Sequence, residues 1–283
     1  MKKFQKIVMF LVLAVFLMAG SAWGTPFNSR PVSVTSYGYP NDLQGFFDTQ
    51  ITGPTYSATG DQNSAAIFAA TGTGSVSSFA YSMIQGVNYG QGDVFGIYSY
   101  ITGAFVPVFD LSLVTTDNFP AATVSFGDRD GDGVFDDVRV ADNGSTNGSI
   151  MTGDTLNFGP SVFGYYTDIG YNKPGYLHGT SFEKHFTEDD RNPGGDPWAL
   201  TFQGHGGTLN MQPGGMDTVQ LDPNHWMIAF DTFKGAGPVW DYDDLIVVAE
   251  SIAPVPEPAT LLLLGSGLIG LAGIGRKKFF RKA

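Results

Sequence analysis

Residues 94–110 read VFGIYSYITGAFVPVFD, and this stretch sets the fold class. Val94 to Ile101 and Ala104 to Asp110 are rich in aromatic and β-branched residues, with Thr102-Gly103 between them. Two such runs joined by a short glycine-containing link read as an antiparallel hairpin. Upstream, Val76 to Ile84 alternates in the manner of a strand with one dry and one wet face. Pro31 to Ile51 carries Val32, Val34, Tyr37, Tyr39, Phe46, Phe47 and Ile51, broken by Gly38 and Pro40-Asn41-Asp42. It reads as short strands with turns. Ala65 to Ala70 (AAIFAA) reads equally as one helical turn or a buried strand. Downstream, Val162 to Tyr166, Trp198 to Phe202, Val219 to Leu221, Trp226 to Phe230 and Leu245 to Ala249 are further short apolar runs. No long i, i+3, i+4, i+7 pattern appears between the chain ends. The expectation is an all-β, jelly-roll-like β-sandwich.

Composition agrees. The 38 Gly and 16 Pro among 283 residues favour turns over long helices. There is no cysteine, so stability must come from core size, metal binding or both. From Thr25 to Pro258 the chain holds 7 basic and 27 acidic residues, a net charge of −20. That argues against nucleic-acid binding, which needs Lys/Arg patches. Of the 27 acids, 23 are Asp. Asp suits both turns and tight oxygen-ligand loops.

Two Asp clusters stand out. In Gly127 to Val140 (GDRDGDGVFDDVRV), Asp128, Asp130 and Asp132 occupy positions 1, 3 and 5, and Gly133 position 6. The Val134 carbonyl falls at 7 and Asp136 at 9. Alternate positions of a tight loop converge, and hard Ca²⁺ takes oxygen ligands of this kind. Position 12 is Arg139, so a helix–loop–helix EF-hand is rejected. Thr123 to Phe126 and Val138 to Val140 flank the loop as expected strands. The loop resembles the strand-flanked calcium loops of thrombospondin-type and integrin-type repeats, which implies a structural Ca²⁺; a solvated acidic turn is the alternative. The second cluster, Asp241-Tyr242-Asp243-Asp244, runs straight into an apolar strand. By position, Asp241, Asp243 and Asp244 are candidate Ca²⁺ ligands, with Asp231 as a further candidate; an acidic cap on a strand is the alternative. The Gly/Ser-rich residues 143–149 are the expected internal boundary, which gives regions 25–150 and 151–252.

The two ends carry addresses. Lys2, Lys3 and Lys6 precede an apolar run from Ile7 to Ala19, and Ser21-Ala22-Trp23-Gly24 offers small residues for cleavage after Gly24 or Ala22. Residues 1–24 therefore read as a secretory signal peptide, which implies passage through the Sec machinery. At the other end, residues 253–283 hold Pro256-Glu257-Pro258, an uncharged run of 17 residues from Ala259 to Gly275, then Arg276, Lys277, Lys278, Arg281 and Lys282. As a helix the run would span roughly 25 Å, close to the ~30 Å hydrocarbon core, and its basic flank would stay cytoplasmic.

This order of parts closely resembles the PEP-CTERM sorting signal of Gram-negative bacteria. The resemblance rests on Val255-Pro256-Glu257-Pro258-Ala259-Thr260, the Leu/Gly-rich run and Arg276-Lys277-Lys278. It implies a transient inner-membrane anchor through residues 259–275. It also implies recognition by the membrane transpeptidase exosortase, cleavage near Pro256-Glu257-Pro258, and release to the cell surface or outside, often beside exopolysaccharide. An ordinary uncleaved anchor is the alternative. Residues from about Tyr165 to Glu250 also resemble domain of unknown function 4114, a frequent companion of such tails. That resemblance rests on Phe163-Gly164-Tyr165-Tyr166, Ala229-Phe230-Asp231, Gly235, Gly237 and Asp241-Tyr242-Asp243-Asp244-Leu245-Ile246-Val247. It implies a secreted, Ca²⁺-supported β domain with no established activity.

Catalytic signatures are missing. His178, His185, His205 and His225 are scattered, there is no Gly-x-Ser-x-Gly elbow, and there is no Cys nucleophile. The expected function is a non-enzymatic surface or matrix protein associated with exopolysaccharide. The alternatives are a Ca²⁺-dependent carbohydrate-binding module and a glycan hydrolase built on acids such as Glu183 and Glu188.

Overall fold

The structure is a computed structural model. It describes residues 28–35, 42–71, 76–83 (backbone only), 93–113, 121–143, 149–170, 182–210, 218–232 and 240–255. Gly24, Pro256-Glu257-Pro258 and residues 259–275 lie outside the described residues. Among the described residues no helix is long and apolar enough to cross a membrane.

Phe27–Val255 forms one compact unit; a second unit comprises 1–26 and 256–283. In the 27–255 unit, helix α1 (Leu43–Gln50) precedes β1 (Ile51–Thr52), β2 (Gln62–Asn63), β3 (Phe68–Ala70) and β4 (Val76–Met83). Then come β5 (Val94–Ser99), β6 (Phe105–Asp110), β7 (Ala121–Gly127), β8 (Asp137–Asp142), β9 (Gly153–Thr155) and β10 (Val162–Gly170). The chain continues with β11 (Phe182–Phe186), β12 (Ala199–Gln203), β13 (Thr208–Asn210), β14 (Thr218–Gln220) and β15 (His225–Phe230). It ends with β16 (Leu245–Glu250) and β17 (Ile252–Pro254).

Three antiparallel sheets result. One has eight strands in the order β2-β12-β15-β16-β4-β7-β8-β9. The second has six, β17-β3-β10-β5-β6 with β11 beside β10, and the third is β1-β13-β14. The expected all-β class is met. The jelly-roll part of the expectation is not shown by these sheets of eight and six strands. The expected boundary near residue 150 does not divide the unit either. β10 pairs with β3 and β5, and β16 pairs with β4, so both halves of the chain share sheets.

Burial explains the sequence patterns. β7 alternates because Ala122, Val124 and Phe126 enter the core shared with the six-stranded sheet. β15 and β16 do not alternate, because both of their faces are covered. Trp226, Ile228, Phe230, Leu245 and Val247 face Phe68, Phe95 and Tyr165. Met227, Ala229, Ile246 and Val248 pack on the other side with Leu43, Phe46 and Phe47 of α1. α1 corrects the expectation of strands across 31–51. Leu43, Phe46 and Phe47 stand at i, i+3 and i+4, and Asp42 caps the helix by accepting from the Gly45 N–H at 2.6 Å. The ambiguous Ala65 to Ala70 ends in a strand, β3, rather than a helical turn.

Two copies of Phe-Gly-x-Tyr interlock at the centre. β5 and β10 pair so that Gly96 lies opposite Tyr166 and Gly164 opposite Tyr98. Each tyrosine ring covers the glycine across from it. A Cβ on Gly164 would sit 2.4 Å from Tyr98 Oη, and one on Gly96 would sit 2.7 Å from Tyr166 Cε1. The buried Tyr98 hydroxyl donates to Glu188 at 2.6 Å, and the Arg191 guanidinium stacks over the Tyr98 ring at 4.7 Å.

Gly164→Ala is therefore expected to cost about 1–3 kcal/mol by overpacking. In urea unfolding, Tyr98→Ala should cost less in the Gly164→Ala background than in the wild type, because the clash is gone.

Candidate functional site

The first candidate site is the loop from β7 to β8. Its geometry is built from Asp side chains accepting backbone N–H groups. Asp128 accepts from Gly131 at 2.7 Å and from Gly133 at 2.9 Å. Asp130 accepts from Asp132 at 3.1 Å, and Asp132 from Val134 at 2.7 Å. Gly133, at φ +87°, makes the sharp turn expected of it. Oxygens of Asp128, Asp130 and Asp137 come within 4.8 Å of one another. Asp132 and Asp136 are not part of that grouping.

Asp137 is the residue the spacing argument missed. It is the first residue of β8 and fully buried. Its carboxylate accepts from the N–H groups of Arg129 (2.6 Å), Asp130 (3.1 Å) and Asn157 (2.8 Å). The Arg129 and Asn157 N–H groups hold its pKa below the usual carboxylate value. Asp136 shifts the other way, raised by desolvation and by repulsion from Asp132, Asp137 and Asp130. The tip is apolar as well as acidic, with Val134 and Phe135 both exposed.

The second candidate site is deeper. Oxygens of Asp231, Asp241 and Asp244 come within 4.8 Å of one another. Asp231, Asp243 and Asp244 are buried and Asp241 is half-buried. Asp244 accepts from the Thr232 N–H at 2.6 Å. Desolvation first, then repulsion from Asp241 and Asp244, pushes Asp243 up to about 8. Asp241 and Asp243 are joined by a side-chain hydrogen bond. Asp241 is itself raised by burial and by the nearby Asp42 carboxylate.

The backbone here is sharply bent. Tyr242 sits at φ +55°, a left-handed conformation that costs a non-glycine residue about 1–2 kcal/mol. Its fully buried ring and the hydrogen bond from its hydroxyl to the Pro197 carbonyl, 2.6 Å, hold it there. The Asp241 carbonyl accepts from the Leu43 N–H at 3.0 Å, and the Trp240 carbonyl from the Thr35 N–H at 2.7 Å. This junction thus joins α1, residues 28–35 and the start of β16. Asp231 is the further candidate named from the sequence; Asp42, nearly two hundred residues away in sequence, carries no local signal.

Other acids and histidines are committed elsewhere. Glu188 is held by Tyr98 and pairs with Arg191. His185 is fully buried and lies flat on Trp198, with ring centroids 3.8 Å apart and planes 3° apart. Among the described residues, neither ring nitrogen has a hydrogen-bond partner. Burial lowers its pKa to about 3.

Residues 254–277 match the PEP-CTERM protein-sorting motif. That motif implies processing by exosortase and a membrane-associated sorting step toward the cell surface. The resemblance of residues 165–250 to the companion domain gains no support. No curated protein and no solved structure matches the chain.

Two outcomes follow from this geometry. Asp137→Asn should lower the melting temperature markedly, whereas Asp132→Asn, on the exposed loop, should leave it nearly unchanged. The His185 pKa is lower folded than unfolded, so the unfolded chain binds the extra proton. The His185 contribution to stability should be complete above about pH 6.5 and fall toward pH 3 by up to about 1.4 kcal/mol per pH unit; it is the difference between wild type and His185→Leu, because Asp243, raised to about 8, contributes a slope of the opposite sign. Urea midpoints measured across that range should lose this slope in His185→Leu.

Proposed function

We propose that this is an exported, non-enzymatic protein of the cell surface or extracellular matrix, addressed by its tail and stabilised by Ca²⁺. The observation that carries the address is the motif at residues 254–277, which starts at the end of the folded β unit and takes in Pro256-Glu257-Pro258, the apolar run and the first basic residues. In this reading residues 1–24 direct export through the Sec machinery of a Gram-negative bacterium. Residues 259–275 anchor the chain briefly in the inner membrane, and exosortase acts at Pro256-Glu257-Pro258. The destination is a surface or matrix rich in exopolysaccharide.

The calcium part rests on chemistry. Three carboxylates gather at Asp231, Asp241 and Asp244, two of them buried, and Asp243, which is outside that grouping, lies beside Asp241 and Asp244 as a fourth acid. Charges so placed repel strongly unless one is protonated or a cation intervenes. All four offer hard oxygen, the donor set Ca²⁺ takes. Asp128 and Asp130, joined by Asp137, offer a second and more exposed set, with Asp132, Asp136 and the Val134 carbonyl as further oxygens on the same loop. Ca²⁺ bound at either place neutralises charge and ties loops together, a structural role with no reaction attached.

A carbohydrate-binding module is the second reading, favoured by the 14% aromatic content. The large rings here are mostly core: Trp226, Tyr98, Phe95 and Phe163 are all fully buried. That favours the structural role over sugar stacking. A hydrolase is the weakest reading, since Glu188 is held by Tyr98 and Arg191.

Two experiments test the proposal. In cells that contain exosortase, a C-terminal epitope should be lost from the exported chain, and replacing Pro256 and Pro258 with Ala should preserve it; an epitope retained by the wild type contradicts the address. For calcium, the fragment should run to Val255, because Ile252 is part of the core. At Ca²⁺ about a hundredfold over Kd the melting temperature should rise by about 5–10 °C over the chelated protein. Asp241→Asn with Asp244→Asn should abolish most of that rise. An unchanged melting temperature in EDTA contradicts structural calcium, and a selective signal on a glycan array favours the carbohydrate-binding reading.

A further inference from the structure

The end of the folded unit is tied down in an unusual place. β16 is a central strand of the eight-stranded sheet, hydrogen-bonded to β15 on one edge and β4 on the other. It stops at Glu250. Ser251 then adopts a left-handed backbone, φ +59°, and β17 begins in the other large sheet. A single residue carries the chain from one sheet to the next.

β17 lies at the edge of its sheet along β3, with Ile252 opposite Ala70, Ala253 opposite Ala69 and Pro254 opposite Phe68. The Thr71 N–H donates to the Ser251 carbonyl at 2.9 Å, and the Val255 N–H to the Ile67 carbonyl at 3.0 Å. Ile252 is buried in the main core, and Val255 packs against the cluster of Ala66, Ile67, Tyr98 and Tyr166. The sorting motif matches from residue 254. Pro254 is thus both the last residue of β17 and the first of the motif, and Pro256 follows Val255 directly. The motif has no linker.

We propose that β17 is a clamp that withholds the sorting motif from its membrane enzyme, and that processing waits for β17 to peel off β3. This rests on the sorting reading above. An enzyme that acts on a backbone needs that backbone free of other pairings, so cleavage beside a paired strand goes through local opening. β17 is suited to such opening. It is short, sits at an edge, and ends in a proline that donates no hydrogen bond. β16 cannot follow it, being paired on both sides. Peeling therefore releases residues 251–255 and no more, a gain in reach of roughly 17 Å at ~3.3 Å per residue. The fold itself sets how far the motif can travel from the domain.

The test uses the full chain in cells that contain exosortase, reading precursor and mature forms by pulse-chase. The chain has no cysteine, so Ala69→Cys with Ala253→Cys, on register partners, creates one possible disulfide across β3 and β17. Locking should slow processing on the order of tenfold or more, because the open state is removed. Reductant should restore it, as should a flexible insert of about ten residues between Val255 and Pro256 in the locked chain. The same insert in the otherwise unaltered chain should speed processing on the order of tenfold, because the motif no longer waits for opening. Processing of the locked chain at the wild-type rate would overturn the clamp. So would an unchanged rate with the insert, which decides the matter even where the disulfide fails to form. A wild-type chain that is never processed would overturn the sorting reading itself, and the clamp with it.

Discussion

Among the described residues, aspartate carboxylates accepting backbone N–H groups hold a set of turns and loops that the rest of the fold depends on. Asp42 caps α1, and Asp61, Asp110 and Asp222 close local turns. Asp128, Asp130 and Asp132 build the β7–β8 loop, and Asp137 gathers three N–H groups beneath it. An N–H left without a partner is costly, and a charged acceptor makes the stronger bond. Asp has the reach for these short rings, and Glu is one methylene too long for most of them. This accounts for much of the preference for Asp among the acids. In a chain without disulfides, these bonds fix the connections between strands.

The same interaction separates the two acidic clusters. In the β7–β8 loop the carboxylates are largely exposed, and backbone donors meet them, so the loop has a shape before any cation arrives. In the deeper cluster the carboxylates face one another. Burial and repulsion from Asp241 and Asp244 favour the protonated form of Asp243 there. A proton and a divalent cation are alternative solutions to one problem of charge. The cluster also joins α1 and residues 28–35 to the start of β16, so either solution acts on the joints between elements.

The strands were legible in the sequence where one face is wet, as in β7, and where turn residues bracket an apolar run, as at Thr102-Gly103. α1 was not, because eight residues give barely two turns and Phe46-Phe47 reads as strand beside Ile51. The unity of 27–255 was hidden for a topological reason: β10 and β16 find their partners in the first half of the chain, and no local pattern reports that. The repeated Phe-Gly-x-Tyr was visible as text, while its meaning, each tyrosine covering the opposite glycine, needed the register. At the sites, the spacing of Asp128 and Asp130 was informative. Asp137 hid behind Asp136 as an ordinary strand residue, and Asp42 was too distant to associate with Asp241.

The tail and the folded unit make different statements. The motif concerns address and the acidic clusters concern cohesion, and they meet at β17, where the last strand passes directly into the motif. The central claim about the folded unit is that its buried carboxylates form a cation site. Native mass spectrometry of residues 27–255, exchanged into calcium and desalted, tests it most directly. The account predicts at least one Ca²⁺ retained per chain and its loss in Asp241→Asn with Asp244→Asn. A spectrum of calcium-free chain, or adducts unchanged by those substitutions, would contradict it.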